Sequence, residues 1–283
     1  MTFLGFDKKD WLHKKLLVDE DKEKIQCLTN ALFVDPNDGR VWQELGNRHA
    51  DFDQEKALYC WSNALKSYLG RLEKFKDDAK KYSKDSTHLL FMDVYSSNVI
   101  SEIASMYFAL GSVYTNLEKY SLAVDAYKTS CTLEFDSDCL YYSASALYEL
   151  KEYEKAEQLI SENIGVTDDY KSHYLLGSIF WMQNEIDSSQ KSYWNCIYKA
   201  DTDAESCHYK SMAYGMLGNY QKKEYYLKKG FQIEPNNPQR ALSLIEYYEE
   251  NGDYNMTQKY YKKLHMLHKE QTREQKKDVI KNE

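Results

Sequence analysis

The chain has 283 residues, 42% of them hydrophobic and 29% charged, with a net charge of −8. That length can bury a real core in one domain or two. Three prolines and 11 glycines are too few turn residues for an all-β fold, and the acidic balance argues against nucleic acid as a partner.

Tyrosine is used 26 times, against 5 tryptophans and 10 phenylalanines. A tyrosine ring packs while its hydroxyl stays wet, which suits half-exposed helix faces. The six cysteines, Cys27, Cys60, Cys131, Cys139, Cys196 and Cys207, form no CxxC pair. A disulfide framework is out of place in a chain of this size, so thiols in a reducing compartment are expected. The N-terminal MTFLGFDKKDWLHKK has no apolar run ahead of its charges, which predicts no secretory leader. No stretch approaches the ~18 uninterrupted apolar residues of a membrane helix. A cytoplasmic protein with no membrane contact is expected.

In chain order, residues 1–17 carry Trp11, Leu12, Leu16 and Leu17 among charges and read as a short amphipathic helix or arm. A helical pattern follows from Asp19, with Ile25, Leu28, Leu32 and Phe33 at helical spacing. Asp35-Pro36-Asn37 ends it, because the residue before a proline is pushed out of the helical region. A helix pair starts near Asp38. Trp42, Leu45 and Gly46 fall on its first helix, and Ala57, Trp61, Ala64 and Leu65 on its second. The second helix is predicted to run on, strongly charged, to about Ser83. After a break at Asp85-Ser86-Thr87, residues 88–103 lead into an unusually long next helix.

From there a period is plain. One small-residue column reads Gly111, Ala144, Gly177, Ser211 and Ile245, at intervals of 33, 33, 34 and 34. Another reads Ala123, Ala156, Ser189, Lys223 and Thr257 at the same intervals. Aromatic and aliphatic columns keep the register: Tyr114, Leu147, Phe180, Tyr214 and Tyr248; Tyr120, Tyr153, Ile186, Tyr220 and Tyr254; Tyr127, Ile160, Tyr193, Leu227 and Tyr261. Two helices per 34 residues are the signature of a helical solenoid, in which each pair buries its stripe against its neighbours. Lys223, Thr257 and Ile245 break the small columns, which predicts looser or capped packing in the last units.

The pattern resembles the tetratricopeptide repeat (TPR) family. Leu110-Gly111, Tyr114, Lys119-Tyr120, Ala123 and Tyr127 carry the resemblance most closely. Leu176-Gly177, Leu217-Gly218-Asn219-Tyr220, Glu234-Pro235 and Asn251-Gly252-Asp253-Tyr254 match in part. Trp42, Leu45-Gly46, Ala57 and Trp61 match with one residue deleted in the turn. The resemblance implies an all-α fold: a right-handed TPR solenoid of about six helix pairs, with an extended helical insertion between the first two. The expected division is an N-terminal cap over 1–37, a first unit with its insertion over 38–103, and five tandem units over 104–270. These last fall at about 104–136, 137–169, 170–203, 204–237 and 238–270, before a charged tail over 271–283.

No catalytic constellation appears: there is no Gly-rich phosphate loop, no HExxH and no GxSxG. Ser112 and Ser178 follow close-packing glycines on helices, and His265 and His268 have no converging ligand. No enzyme, metal site or cofactor is expected. In the TPR family the first helices line the concave groove, so the expected partner-binding floor here is Phe108, Tyr141, Tyr174 and His208; then Ser112, Ser145, Ser178 and Met212; then Thr115, Tyr148, Trp181 and Gly215, with Asn116, Glu149, Met182 and Met216 beside them. Tyrosine and tryptophan give contact area at low entropy cost and methionine adapts its shape, so a protein or peptide partner is expected. The rival expectation is that these side chains pack on the neighbouring unit. Asn47 resembles one member of the chaperone-tail carboxylate clamp, but the clamp's basic partners are replaced by Ser105, Phe108, Asp138 and Tyr142. Arg71–Lys84 reads as a solvated helix extension, or as a basic docking site. Two other roles compete with the interaction module: a structural subunit of a larger assembly, and a regulator that senses a small ligand or signal peptide.

Overall fold

The computed structural model describes residues 2, 7–16, 21–50, 52–81 and 86–281, with side chains outside 13, 14, 16, 76, 79–81, 86–95, 268 and 270–281. Among these residues there are fourteen α-helices and no strand. α1 (Lys8–Leu16) and α2 (Asp21–Val34) precede six helix pairs. The pairs are α3 (Gly39–His49) with α4 (Gln54–Lys81), α5 (Ser86–Asn116) with α6 (Tyr120–Leu133), and α7 (Ser137–Glu149) with α8 (Tyr153–Thr167). Then come α9 (Tyr170–Met182) with α10 (Ile186–Lys199), α11 (Ala204–Met216) with α12 (Tyr220–Ile233), and α13 (Pro238–Glu250) with α14 (Tyr254–Lys281). The chain divides into two compact units, residues 1–159 and 160–283, with the boundary inside α8.

The boundaries follow local chemistry. Asp38, Asp136, Asp169, Asp203 and Asn237 each cap a first helix by accepting a hydrogen bond from its leading backbone amides. Within the pairs, the inter-helix turn places Glu118, Lys151, Asn184, Gly218 and Gly252 at φ of 58, 62, 64, 74 and 69°. This left-handed corner recurs with the repeat, and only the last two units fill it with glycine. α4 and α5 are both long, 28 and 31 residues, as the insertion predicts. Residues 82–85, the end of the charged run and the first residue of its expected break, lie outside the described residues, whereas Ser86 and Thr87 do not break the pattern but open α5. α14 continues to Lys281, so the stretch expected as a tail extends the last helix.

In the first unit, Trp11, Leu28, Ala31, Val41 and Leu45 join α1, α2 and α3 in one core. Trp61, Tyr68, Ile103, Met106 and Leu110 join α4 and α5 in another. The small-residue column explains the close approach. A Cβ on Gly46 would stand 2.5 Å from the Trp61 ring, and one on Gly111 2.7 Å from the Tyr127 ring. In the second unit a Cβ on Gly177 would stand 2.8 Å from the Tyr193 ring. There Leu227, Phe231, Leu244, Ile245 and Tyr248 form the core of the last two pairs.

The departures from the small columns do not loosen that core. Ile245 is 2% exposed, and its counterpart Tyr261 moves out to 43%, hydrogen-bonding Glu249 at 3.1 Å. Thr257 is buried with its hydroxyl on the Asp253 carbonyl at 2.9 Å. Lys223 lays its methylenes across Gly215 and sends its ammonium to Glu250 at 3.4 Å.

Candidate functional site

Three positions recur along each first helix at i, i+4 and i+7, which sets them on one face. In the first unit these are Phe108, Ser112 and Thr115 on α5, and Tyr141, Ser145 and Tyr148 on α7. Phe108 is half-buried. Its ring meets Tyr127 edge-on at 5.4 Å and Tyr142 at 5.5 Å. Tyr141 meets Tyr142 at 5.3 Å, so Tyr142 links Phe108 and Tyr141. Ser112 is exposed, and Ser145 and Tyr148 are half-buried. Burial, with Tyr153 beside it, pushes the Tyr148 hydroxyl up.

In the second unit the stripe is Tyr174, Ser178 and Trp181 on α9, and His208, Met212 and Gly215 on α11. The two helices lie side by side. Tyr174 and Tyr170 both meet Tyr209, at 5.6 and 5.3 Å, and Lys171 pairs with Glu205 at 2.8 Å. Tyr209 also meets His208 at 6.0 Å and so joins the two columns. Ser178 donates to the Tyr174 carbonyl at 3.1 Å and lies 3.2 Å from the buried Tyr193 hydroxyl. Burial, followed by the charge of Arg240, lowers the His208 pKa. Met212 is half-buried. Trp181 and Met182, at the end of α9, are 44% and 48% exposed, with Ile186 exposed just beyond the turn.

The expected floor therefore has two kinds of member. Rings at the start of each first helix pack on neighbouring helices through Tyr142, which the sequence marked only as a replaced clamp position, and Tyr209, which it did not single out. Side chains near the helix ends, above all Trp181 and Met182, face solvent. A capping network anchors the opposite, N-terminal end of α9. Asp169 accepts from the Lys171 and Ser172 amides at 2.8 and 3.0 Å and from the Thr167 and Ser172 hydroxyls at 2.8 and 2.7 Å. Burial pushes the Asp169 carboxyl up, but these bonds outweigh it and hold the group below the usual carboxylate range. Beside it, Asp168 takes His173 at 2.8 Å and the Lys199 ammonium.

Asn47, the one clamp-like residue, is occupied: its Oδ1 accepts from the Trp61 indole at 3.0 Å. Arg40 and Arg48 pair with Glu102 and Asp21 at 3.2 and 2.6 Å. The first unit also has two apolar clefts. One, of about 720 Å³, lies between α4 and α6 over Tyr107, Leu110 and Tyr114. The other, of about 550 Å³, is bounded by Phe33, Trp42, Leu45 and Tyr59. Among the described residues no cluster of His, Cys, Asp or Glu could hold a metal ion, and no helix is long and apolar enough to cross a membrane.

No family model matches the chain. A TPR protein from Parabacteroides merdae shares 14% identity with it, at a TM-score of 0.60 over 92% of this chain and 93% of that one. YrrB, described as a TPR protein with an unusual peptide-binding site, shares 16% over 74% of this chain and 92% of its own, at a TM-score of 0.43. Among curated sequences, the BBSome complex member BBS4 of Bos taurus is 20% identical over 173 residues, 61% of this chain. The chain spans about a third of that relative, 32% of its length. The near-complete overlap with the Parabacteroides structure, the 33–34-residue period and the glycine-against-ring packing agree: the chain has the tetratricopeptide-repeat fold.

Proposed function

We propose that this chain is a non-enzymatic protein-interaction module, and that its first-helix face receives a peptide or helix of a partner protein. The observation that carries this is the pairing of Trp181 and Met182 at 44% and 48% exposure in the last turn of α9, whose first turn Asp169 caps. A large aromatic and a flexible thioether, both open to solvent on a fixed helix, form the kind of anchor that dominates interface energies. The half-buried Tyr174, Tyr209 and Met212 extend the apolar area beside it. None of the six cysteines is in a disulfide. Burial raises the Cys60 thiol to about 11 and the Cys196 thiol to about 12. Inert thiols support a structural role in a reducing compartment.

The test is a Trp181→Ala/Met182→Ala variant whose melting matches the wild type. A partner isolated on the wild-type chain is expected to lose at least about tenfold in affinity for the variant, the mark of one hot-spot side chain. Wild-type affinity refutes the reading. A second reading, a subunit of a stable assembly, is supported by Trp194, Tyr198 and Tyr254, which stand exposed on second helices of the same unit. BBS4 is itself a member of a complex. Co-purification of a stoichiometric subunit that survives the Trp181→Ala/Met182→Ala change would favour this second reading.

A further inference from the structure

The second helices of the last two pairs are net basic in an otherwise acidic second unit. α12 carries four lysines and one glutamate, and residues 254–269 of α14 carry four lysines and no acid. Lysines there, and Lys210 of α11 beside them, lie over aromatic rings. Tyr214 and Tyr226 stack at 5.5 Å; Lys222 lies 4.9 Å from the Tyr214 centroid and Lys210 5.7 Å from that of Tyr226. The arrangement recurs one repeat later: Tyr248 and Tyr260 stack at 5.8 Å, with Lys259 5.8 Å from Tyr260. Lys263 lies 4.8 Å from Phe231. A ring face holds an ammonium by its quadrupole without neutralising it. Lys222, Lys229, Lys259, Lys262 and Lys263 make no ion pair with any described residue.

From this charge pattern we infer that α12 and α14 form a docking face for an acidic protein segment, rich in Asp and Glu. Its location is distinct from the first-helix face carrying Trp181. Lys222 and Lys229 are seven residues apart and share one stripe of α12, with Tyr225 exposed between them. Lys259, Lys262 and Lys263 share the corresponding stripe of α14. Preset ammonium groups take carboxylates singly, and the exposed tyrosine offers contact to the apolar side chains between them. Nucleic acid is disfavoured on two counts. The stacked tyrosines already have their faces occupied and cannot stack bases. The net charge of −8 repels a long polyanion, whereas a short acidic segment meets the local field within a Debye length of about 8 Å.

The experiment uses the full chain and a fluorescein-labelled peptide of alternating glutamate and glycine with interspersed leucine. Anisotropy is measured at about 50 and 200 mM salt, where electrostatic binding differs most. Saturable binding is expected, weakened more than about tenfold by Lys222→Gln/Lys229→Gln/Lys262→Gln. It should be unchanged in Lys119→Gln/Lys128→Gln/Lys151→Gln, which removes the same charge elsewhere, and in Trp181→Ala/Met182→Ala. Circular dichroism melts confirm that each variant folds. Absence of saturable binding overturns the inference, as does equal loss in both triple variants. Tighter binding of oligouridine or of phosphatidylserine vesicles assigns the face to another class of partner and also overturns it.

Discussion

Gly177→Ala tests the packing rule of the repeat most directly. Alanine ordinarily gains about 0.5–1 kcal/mol over glycine inside a helix. At this position the added Cβ would stand 2.8 Å from Cδ1 and Cε1 of Tyr193. The ring is 1% exposed, its hydroxyl lies 3.2 Å from Ser178 Oγ, and Tyr174 packs on it at 5.5 Å. It cannot swing clear without breaking those contacts, and overpacking of this kind costs about 1–3 kcal/mol. The net expectation is a loss of about 0.5–2 kcal/mol, the overpacking term minus the helix-propensity gain. Tyr193→Leu removes the obstructing ring, and in that background Gly177→Ala should stabilise by about 0.5–1 kcal/mol. The coupling between the two sites is therefore about 1–3 kcal/mol. Urea denaturation followed by far-UV circular dichroism reads it, with constant slopes guarding against a change in cooperativity. A Gly177→Ala protein more stable than the wild type, or an equal effect in both backgrounds, refutes the reasoning.

Two further expectations concern turns and caps. Glu118→Gly and Lys151→Gly each replace a side chain at positive φ, so each should stabilise by about 0.5–1 kcal/mol in the same denaturation assay, once the greater freedom of the unfolded glycine is counted. Gly218→Ala should destabilise by a similar amount. Asp169→Ala should cost about 1–2 kcal/mol at neutral pH, because the Lys171 and Ser172 amides lose their cap while the Thr167 and Ser172 hydroxyls keep only Asn163. Because the folded carboxyl titrates below its unfolded value near 3.9, that contribution is complete above about pH 4 and lost as pH falls through the folded pKa. An acid titration of stability should therefore fall more steeply for the wild type than for Asp169→Ala.

The repeat itself was legible because its physics is one-dimensional. Glycine facing a ring and a corner every 33 or 34 residues leave a mark in the order of residues alone. The long α4 and α5 were legible for the same reason, since helical spacing carried on past the expected end. The proposed first-helix floor can be read from the sequence only as a set of positions. Tyr141 and Tyr142 are about 100° apart on a helix, and the sequence does not say which of two adjacent tyrosines turns to Phe108. The same holds for His208 and Tyr209 against Tyr174. Asn47 looked like a ligand-binding residue, and only its 3.0 Å bond to Trp61 reveals its structural role. The capping column Asp136, Asp169, Asp203 and Asn237 recurs at 33, 34 and 34 and was available to sequence reasoning as a helix-start signal. The lysines over Tyr214, Tyr226 and Tyr260 were not, since each contact depends on how closely helices approach.

The irregular units show that the repeat conserves summed volume at a contact more strictly than residue type. Where the first helix offers glycine, the second answers with a ring, as in Gly111 with Tyr127 and Gly177 with Tyr193. Where the first helix carries Ile245, the ring is not needed, and Tyr261 turns outward to Glu249. Lys223 follows the same rule from the other helix. It occupies a column otherwise held by small residues, and the space for its stem comes from Gly215, where a Cβ would lie 3.1 Å from Lys223 Cδ. Gly215 occupies the position that Tyr148 and Trp181 hold in earlier pairs, so a large residue on the first helix is given up to admit a lysine whose head reaches Glu250. Interior filling thereby sets what the surface can display. The pair α9–α10, with Ser189 in the small column, can present Trp181; the pair α11–α12, with Lys223 there, cannot present a ring at the same place.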